Sequence, residues 1–155
     1  MLFDPSSSFF AITERFIDNF TANNILVTDV EARKLPYLQA VIKEGLRIWP
    51  GVAGSNGKNV PPGGDVVNGY FLPGGTRLST CVWGIQRSKE IFGPDAEMFR
   101  PERWLEIGEG EDEKTRLKRM NSTVDLVFNT GRWTCPGRPV ANIELNKIFF
   151  EVSWH

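Results

Sequence analysis

A mainly α-helical chain carrying a small irregular β-sheet is what these 155 residues predict. Three observations lead there. Apolar residues recur at i, i+3, i+4 and i+7 in two stretches, one after Pro36 and one after Pro139. Between them, residues 51–82 are rich in Gly and Pro, which break helices and leave only short apolar runs suited to short strands. A hydrophobic share of 41% and a charged share of 24% are ordinary for a globular protein, and the length allows one domain at most.

The same composition excludes several function classes. A formal net charge of -1 gives no reason to expect nucleic acid or an anionic membrane as partner. The one histidine is His155, so neither a His-based triad nor a His-rich metal site is expected. Cys81 and Cys135 are too few for a disulfide framework. No run of about 18 apolar residues is present, so no transmembrane helix is expected, and the first residues lack a basic-then-apolar signal pattern.

In chain order, residues 1–8 are polar, contain Pro5 and predict a loosely held end. Ile12, Phe16 and Ile17 within residues 9–20 predict a short amphipathic helix. Thr28-Asp29-Val30-Glu31 matches a capping box and opens a helical turn. Pro36 starts the clearest helix, whose buried face is expected to carry Leu38, Val41, Ile42, Gly45, Leu46 and Trp49, and Pro50 stops it. Glu44 and Arg47 lie three apart on that helix and can meet; taken alone, such pairs are common and solvated.

Asn68-Gly69 signals a tight turn between Val66-Val67 and Tyr70-Phe71-Leu72, and Arg77 to Val82 is a further candidate strand. Residues 85–87 close a short helix, and Gly93-Pro94-Asp95 starts a turn. Residues 106–119 run acidic then basic and predict a solvated loop or surface helix. Ser122 to Phe128 leads into a cysteine loop. After that loop Pro139 suits a first helical turn, and Val140, Ala141, Glu144, Leu145, Ile148, Phe149 and Val152 continue the helix.

The loop Phe128-Asn129-Thr130-Gly131-Arg132-Trp133-Thr134-Cys135-Pro136-Gly137 carries the chemistry. It sets Cys135 between two glycines, with an aromatic residue upstream and a helix downstream. A thiolate is a strong ligand for iron, and negative charge on sulfur is favoured ahead of a helix N-terminus. Glycines let the backbone approach a large flat cofactor without Cβ clashes. The pattern suits a cysteine offered to a haem iron. A lone buried cysteine that merely packs is the alternative the loop by itself leaves open.

Three pieces in order resemble the cytochrome P-450 family of haem-thiolate monooxygenases. Glu44-Gly45-Leu46-Arg47 is similar to its Glu-x-x-Arg helix motif. Phe99-Arg100-Pro101-Glu102-Arg103-Trp104 resembles the segment whose arginine joins that pair. Phe128 to Gly137 resembles the loop Phe-x-x-Gly-x-Arg-x-Cys-x-Gly, and Ala141 and Glu144 continue the match into the next helix. Ala32-Arg33-Lys34-Leu35-Pro36-Tyr37-Leu38-Gln39-Ala40 looks most like filamentous-fungal members of the pisatin-demethylase type. The resemblance covers roughly Asp29 to Val152.

It implies the haem-proximal, C-terminal part of the cytochrome P-450 fold, incomplete at both ends, with residues 1–28 a helical remnant and 29–155 a partial domain. Cys135 would be the axial ligand of the iron of haem b, with Phe128, Gly131, Arg132, Trp133 and Gly137 completing the cofactor site. Glu44, Arg47 and Arg103 would form a buried structural triad that holds the cysteine loop. The family usually has arginine two residues before the cysteine, on a haem propionate. Here that position is Trp133, which can donate only one neutral hydrogen bond, and arginine lies one residue earlier at Arg132. Lys58 is a second candidate cation for a propionate, and Val52 to Ser55 match a segment that lines substrate pockets.

The function implied is insertion of one oxygen atom from O2 into a small lipophilic substrate of secondary metabolism or detoxification, with an NADPH-dependent reductase as electron donor. Full-length relatives would sit on the endoplasmic reticulum membrane. The alternatives are a non-catalytic remnant or gene-model fragment, and a peroxide-driven rearrangement without a reductase. The distal helix and the membrane anchor of the family have no counterpart in these 155 residues. The chain alone is therefore expected to be unstable and inactive, with Phe9, Phe10, Phe149, Phe150 and Trp154 exposed.

Overall fold

The computed structural model describes residues 27–54, 57–105, 108 and 110–154. The helix expected over residues 9–20, with Phe9 and Phe10, lies outside them. Six α-helices are described: α1 (Asp29–Ala32), α2 (Pro36–Ile48), α3 (Val82–Ile85), α4 (Lys89–Phe92), α5 (Glu111–Asp125) and α6 (Arg138–Trp154). Four short strands, β1 (Lys58–Asn59), β2 (Asp65–Val67), β3 (Tyr70–Leu72) and β4 (Arg77–Leu78), lie between α2 and α3.

Helix α1 opens on the expected capping box: Glu31 N–H donates to Thr28 Oγ1 at 3.3 Å, and Thr28 N–H donates to Glu31 Oε2 at 3.0 Å. Helix α2 carries Pro36 at its start and is the axis of the molecule. One side packs Leu38 and Ile42 against Val27, Ala32, Leu35 and Phe150. Another places Ala40 in a cluster with Phe92, Ala96, Trp104, Met120 and Val124, and Leu46 touches both clusters.

This double burial corrects the single stripe expected from periodicity. Glu44 and Arg47 are buried, whereas Val41 is only partly so and Trp49 is 68% exposed. An apolar count cannot see a buried face made of charge. Trp49 follows the last helical residue, where the backbone turns away (φ -123°, ψ 72°), and it rests on Phe99 with ring centroids 6.3 Å apart.

The strands form two separate antiparallel ribbons rather than one sheet: β1 with β4, and β2 with β3. Asn68 (φ 50°) and Gly69 (φ 83°) make the β2–β3 turn, both at the positive φ that matches strand twist in a tight hairpin. The strand expected over Arg77 to Val82 stops at Leu78, because its only partner is the two-residue β1, and Val82 already begins α3. The charged stretch forms α5, which also takes in 122–125 of the expected lead-in and buries Met120, Thr123 and Val124.

In α6, Phe150 is buried against α2 and Phe149 is partly covered, contrary to the exposure expected of both. Val140, Ile143, Ile148 and Val152 of the same helix are exposed. No described helix is long and apolar enough to cross a membrane.

Candidate functional site

Two constructions make up the candidate site. The first is a buried charge cluster. Glu44 Oε1 accepts from Arg47 Nη2 (2.7 Å), Arg103 Nε (2.9 Å) and the backbone N–H of Arg100 (2.9 Å). Its Oε2 accepts from Arg47 Nε (2.9 Å) and the indole N–H of Trp104 (3.0 Å). The remaining Arg47 donors go to the carbonyls of Gln86 (2.7 Å), Ala96 (2.6 Å) and Met98 (2.9 Å). Those of Arg103 go to Phe92 O (2.6 Å), Asp95 Oδ1 (3.0 Å), Asp95 O (3.1 Å) and Met98 O (3.2 Å).

Every N–H of both guanidinium groups is thereby used, and Asp95 brings the second negative charge that balances them. Burial by itself pushes the Glu44 carboxyl up. The Arg47 hydrogen bond, the Arg100 N–H and the charges of Arg47 and Arg103 outweigh it and hold the group below its usual range. Asp95 behaves the same way: burial raises it, and Arg103 and then Arg100 bring it down.

The sequence named Glu44, Arg47 and Arg103, and the structure brings these three together. It did not name Asp95, Trp104 or the Arg100 backbone as members. The short 3-10 helix Pro101–Trp104 points Arg103 and Trp104 inward. A turn beginning at Gly93, whose φ is 93°, swings Asp95 back to them. The signals were there as Gly93-Pro94-Asp95 and as an indole next to Arg103, but neither residue type indicates its partner.

The second construction is the cysteine loop. A 3-10 turn at Leu126–Phe128 follows α5, Asn129 adopts φ 60° and ψ -177°, Gly131 has φ 60°, and a second 3-10 turn spans Gly131–Trp133. Cys135 N–H donates to Phe128 O at 2.8 Å, which folds the loop onto itself. Arg138 N–H donates to Cys135 O at 3.2 Å, so the cysteine sits just ahead of the first turn of α6. Cys135 is exposed and unbridged.

Gly137 lies next to the sulfur: a Cβ there would sit 3.7 Å from Cys135 Sγ, an ordinary van der Waals contact. A Cβ at Gly131 would meet nothing within 4 Å, so that glycine answers to its φ alone. Phe128 is half-buried, with the Arg138 guanidinium 5.4 Å from its ring centre. Trp133 is 56% exposed. Lys58 Nζ lies 5.6 Å from the Trp133 ring and donates to Asn129 Oδ1 at 3.3 Å, tying the β1–β4 ribbon to the loop. Arg132 lies 5.7 Å from the same ring. Val52 is exposed, and Ser55 lies outside the described residues.

This donor set fits a haem. It offers one accessible soft sulfur, a neighbour without a side chain, an exposed indole, and two cations suited to carboxylates. No group of His, Cys, Asp or Glu that could hold a metal ion by itself occurs among the described residues.

A helical protein that presents such a cysteine ahead of a long helix, and that also carries a saturated Glu–Arg–Arg cluster, has the makings of a haem-thiolate protein. The sequence model of the family described as cytochrome P450 matches residues 17–152, and the chain belongs to that family, whose members bind haem iron through thiolate. It is 49% identical over 127 residues to the cytochrome P450 monooxygenase ABA1 of Pyricularia oryzae, covering 82% of this chain and 24% of that protein. Pisatin demethylase of Fusarium vanettenii is 40% identical over 122 residues, covering 79% and 22%. The cytochrome P450 monooxygenase ACRTS1 of Alternaria alternata is 39% identical over 139 residues, covering 88% and 35%. The chain thus spans roughly a quarter to a third of the length of these curated relatives.

Proposed function

We propose that this chain forms the thiolate side of the haem site of a monooxygenase acting on a small lipophilic molecule, with Cys135 as axial ligand. The observation that carries the reading is the accessible Cys135 sulfur, held by its own backbone on Phe128 and bordered by Gly137. When bound, haem would supply the activation of O2, so that one oxygen atom enters the substrate and the other leaves as water, with two electrons from an NADPH-dependent reductase and two protons from solvent. Cys135 would hold the iron, and the start of α6 faces negative charge on the sulfur favourably. With haem bound, Phe128 would help to keep water from the sulfur. Lys58 and Arg132, both near the Trp133 indole, supply positive charge for the haem carboxylates in place of the arginine that Trp133 replaces.

The Glu44 cluster positions the site and takes no part in the reaction. The likeness to pisatin demethylase and the fungal monooxygenases named above supports a lipophilic secondary metabolite or xenobiotic as substrate class. The test is the carbon-monoxide difference spectrum of the reduced, haem-loaded chain. The thiolate signature is expected with Cys135 present and lost in Cys135→Ala. Equal haem content and an equal spectrum in the two would remove Cys135 from the ligand role.

A further inference from the structure

Behind the cysteine loop lies a cavity of about 160 Å³ between α2, the end of α5 and the start of α6. Three of its lining residues are cations, Arg33, Lys43 and Arg138, and one is an acid, Asp125. Arg33 Nε is paired with Asp29 at 2.7 Å and Arg138 Nη2 with Asp125 at 2.6 Å, which leaves the other guanidinium nitrogens of both without a protein acceptor among the described residues. Lys43 has no ion pair and no hydrogen bond among the described residues; its one contact of that kind is the Trp104 ring, 5.6 Å from Nζ.

Asn142 lines the same space, and no described acceptor takes its amide N–H groups. Donors therefore outnumber acceptors around the cavity, and the local charge is positive. Burial depresses the Lys43 ammonium, and the charge of Asp125 pulls it back up, so the group is partly desolvated with no counter-ion of its own. The Lys43 ammonium is half-buried without a protein acceptor among the described residues, and an anion entering the cavity would supply one.

We propose that this cavity is a binding site for one small tetrahedral oxyanion of the phosphate class, received by Lys43, Arg138, Arg33 and Asn142. Lys43 of α2, Arg138 and Asn142 of α6, and Arg33 just after α1 line the cavity together, and their charge-assisted hydrogen bonds to an oxyanion would be the stronger kind. The volume holds such an ion with a water or two. Asp125 lines the same cavity and holds Arg138 through its ion pair. The cavity shares Phe128 with the cysteine loop, but its cations are not the ones assigned to the haem carboxylates, so phosphate binding does not rest on haem binding.

The experiment is a titration of the chain with inorganic phosphate at constant ionic strength in chloride, followed by NMR of the lysine ε-methylene groups and by calorimetry. Saturable binding that moves the Lys43 resonances and leaves those of exposed Lys34 in place is expected, with sulfate competing. Lys43→Met keeps the alkyl stem on Trp104 and should weaken phosphate about tenfold or more, while Lys34→Met should not change it. Shifts that grow linearly with phosphate, or that move Lys34 as much as Lys43, would overturn the proposal. So would unchanged affinity in Lys43→Met. The wild-type resonances decide the matter even where that variant does not fold.

Discussion

Glu44 shows how much one residue can hold. Its carboxylate accepts five hydrogen bonds from four residues contributed by α2 and the segment of residues 100–104. Removing one partner of a buried pair leaves the others charged and unpaired, which costs about 3–5 kcal/mol. Glu44→Ala should therefore lower unfolding stability by about that amount in a denaturant titration; a loss under about 1 kcal/mol would mean that the arginines find other acceptors. Asn129 makes a different prediction. Its φ of 60° with ψ of -177° lies where side chains are strained, yet it holds Lys58. Asn129→Gly and Asn129→Ala both lose that contact, so the glycine variant should be the more stable by about 1–2 kcal/mol. Equal melting of the two would place the strain elsewhere. The sequence made the charged residues legible only through the spacing of three motifs, since a single Glu-x-x-Arg reads as a surface pair. Asp95 and Trp104 were illegible because they come from turns whose direction is set by packing.

At the scale of elements, legibility followed local chemistry. The capping box at Thr28, Pro36 at the start of α2 and the Asn68-Gly69 turn each depend on residues within a few positions, and each appears where the sequence put it. What failed was non-local. The β4 strand ended early because β1 offered it two residues, and Trp49 is exposed because it lies past the end of α2, where the backbone turns away. The glycines of the ribbons separate backbone from packing. A Cβ at Gly69 would meet nothing, so Gly69→Ala should cost about 1 kcal/mol through its φ of 83° alone. A Cβ at Gly74 would fall 2.4 Å from Pro62 O, against backbone that cannot swing aside, so Gly74→Ala should be the more damaging of the two. Thermal unfolding of both variants checks the order, and the reverse order would show that the 61–75 turns repack freely.

For the molecule as a whole, the buried cluster makes stability depend on pH in a stated direction. Glu44 and Asp95 sit below their usual values of 4.5 and 3.8, so the unfolded chain takes up their protons first on acidification. Their contribution is complete above those usual values and is lost as pH falls through the lower folded ones. Tyr37 acts at the other end. Burial, the charge of Glu102 and the hydrogen bond its hydroxyl donates to Glu102 at 3.2 Å push it up to about 12 from a usual 10.0. A raised phenol keeps its proton in the fold, so its contribution is full below pH 10 and disappears as pH rises towards 12. Melting temperature against pH should therefore fall on both sides, and the two falls should answer to different residues. Tyr37→Phe removes the titrating group and should flatten the alkaline fall while leaving the acid one. Glu44→Gln should lower the whole curve and flatten its acid side. If Tyr37→Phe instead moved the acid side, the coupling of α2 to Pro101–Trp104 would run through Glu102 rather than through the cluster around Glu44.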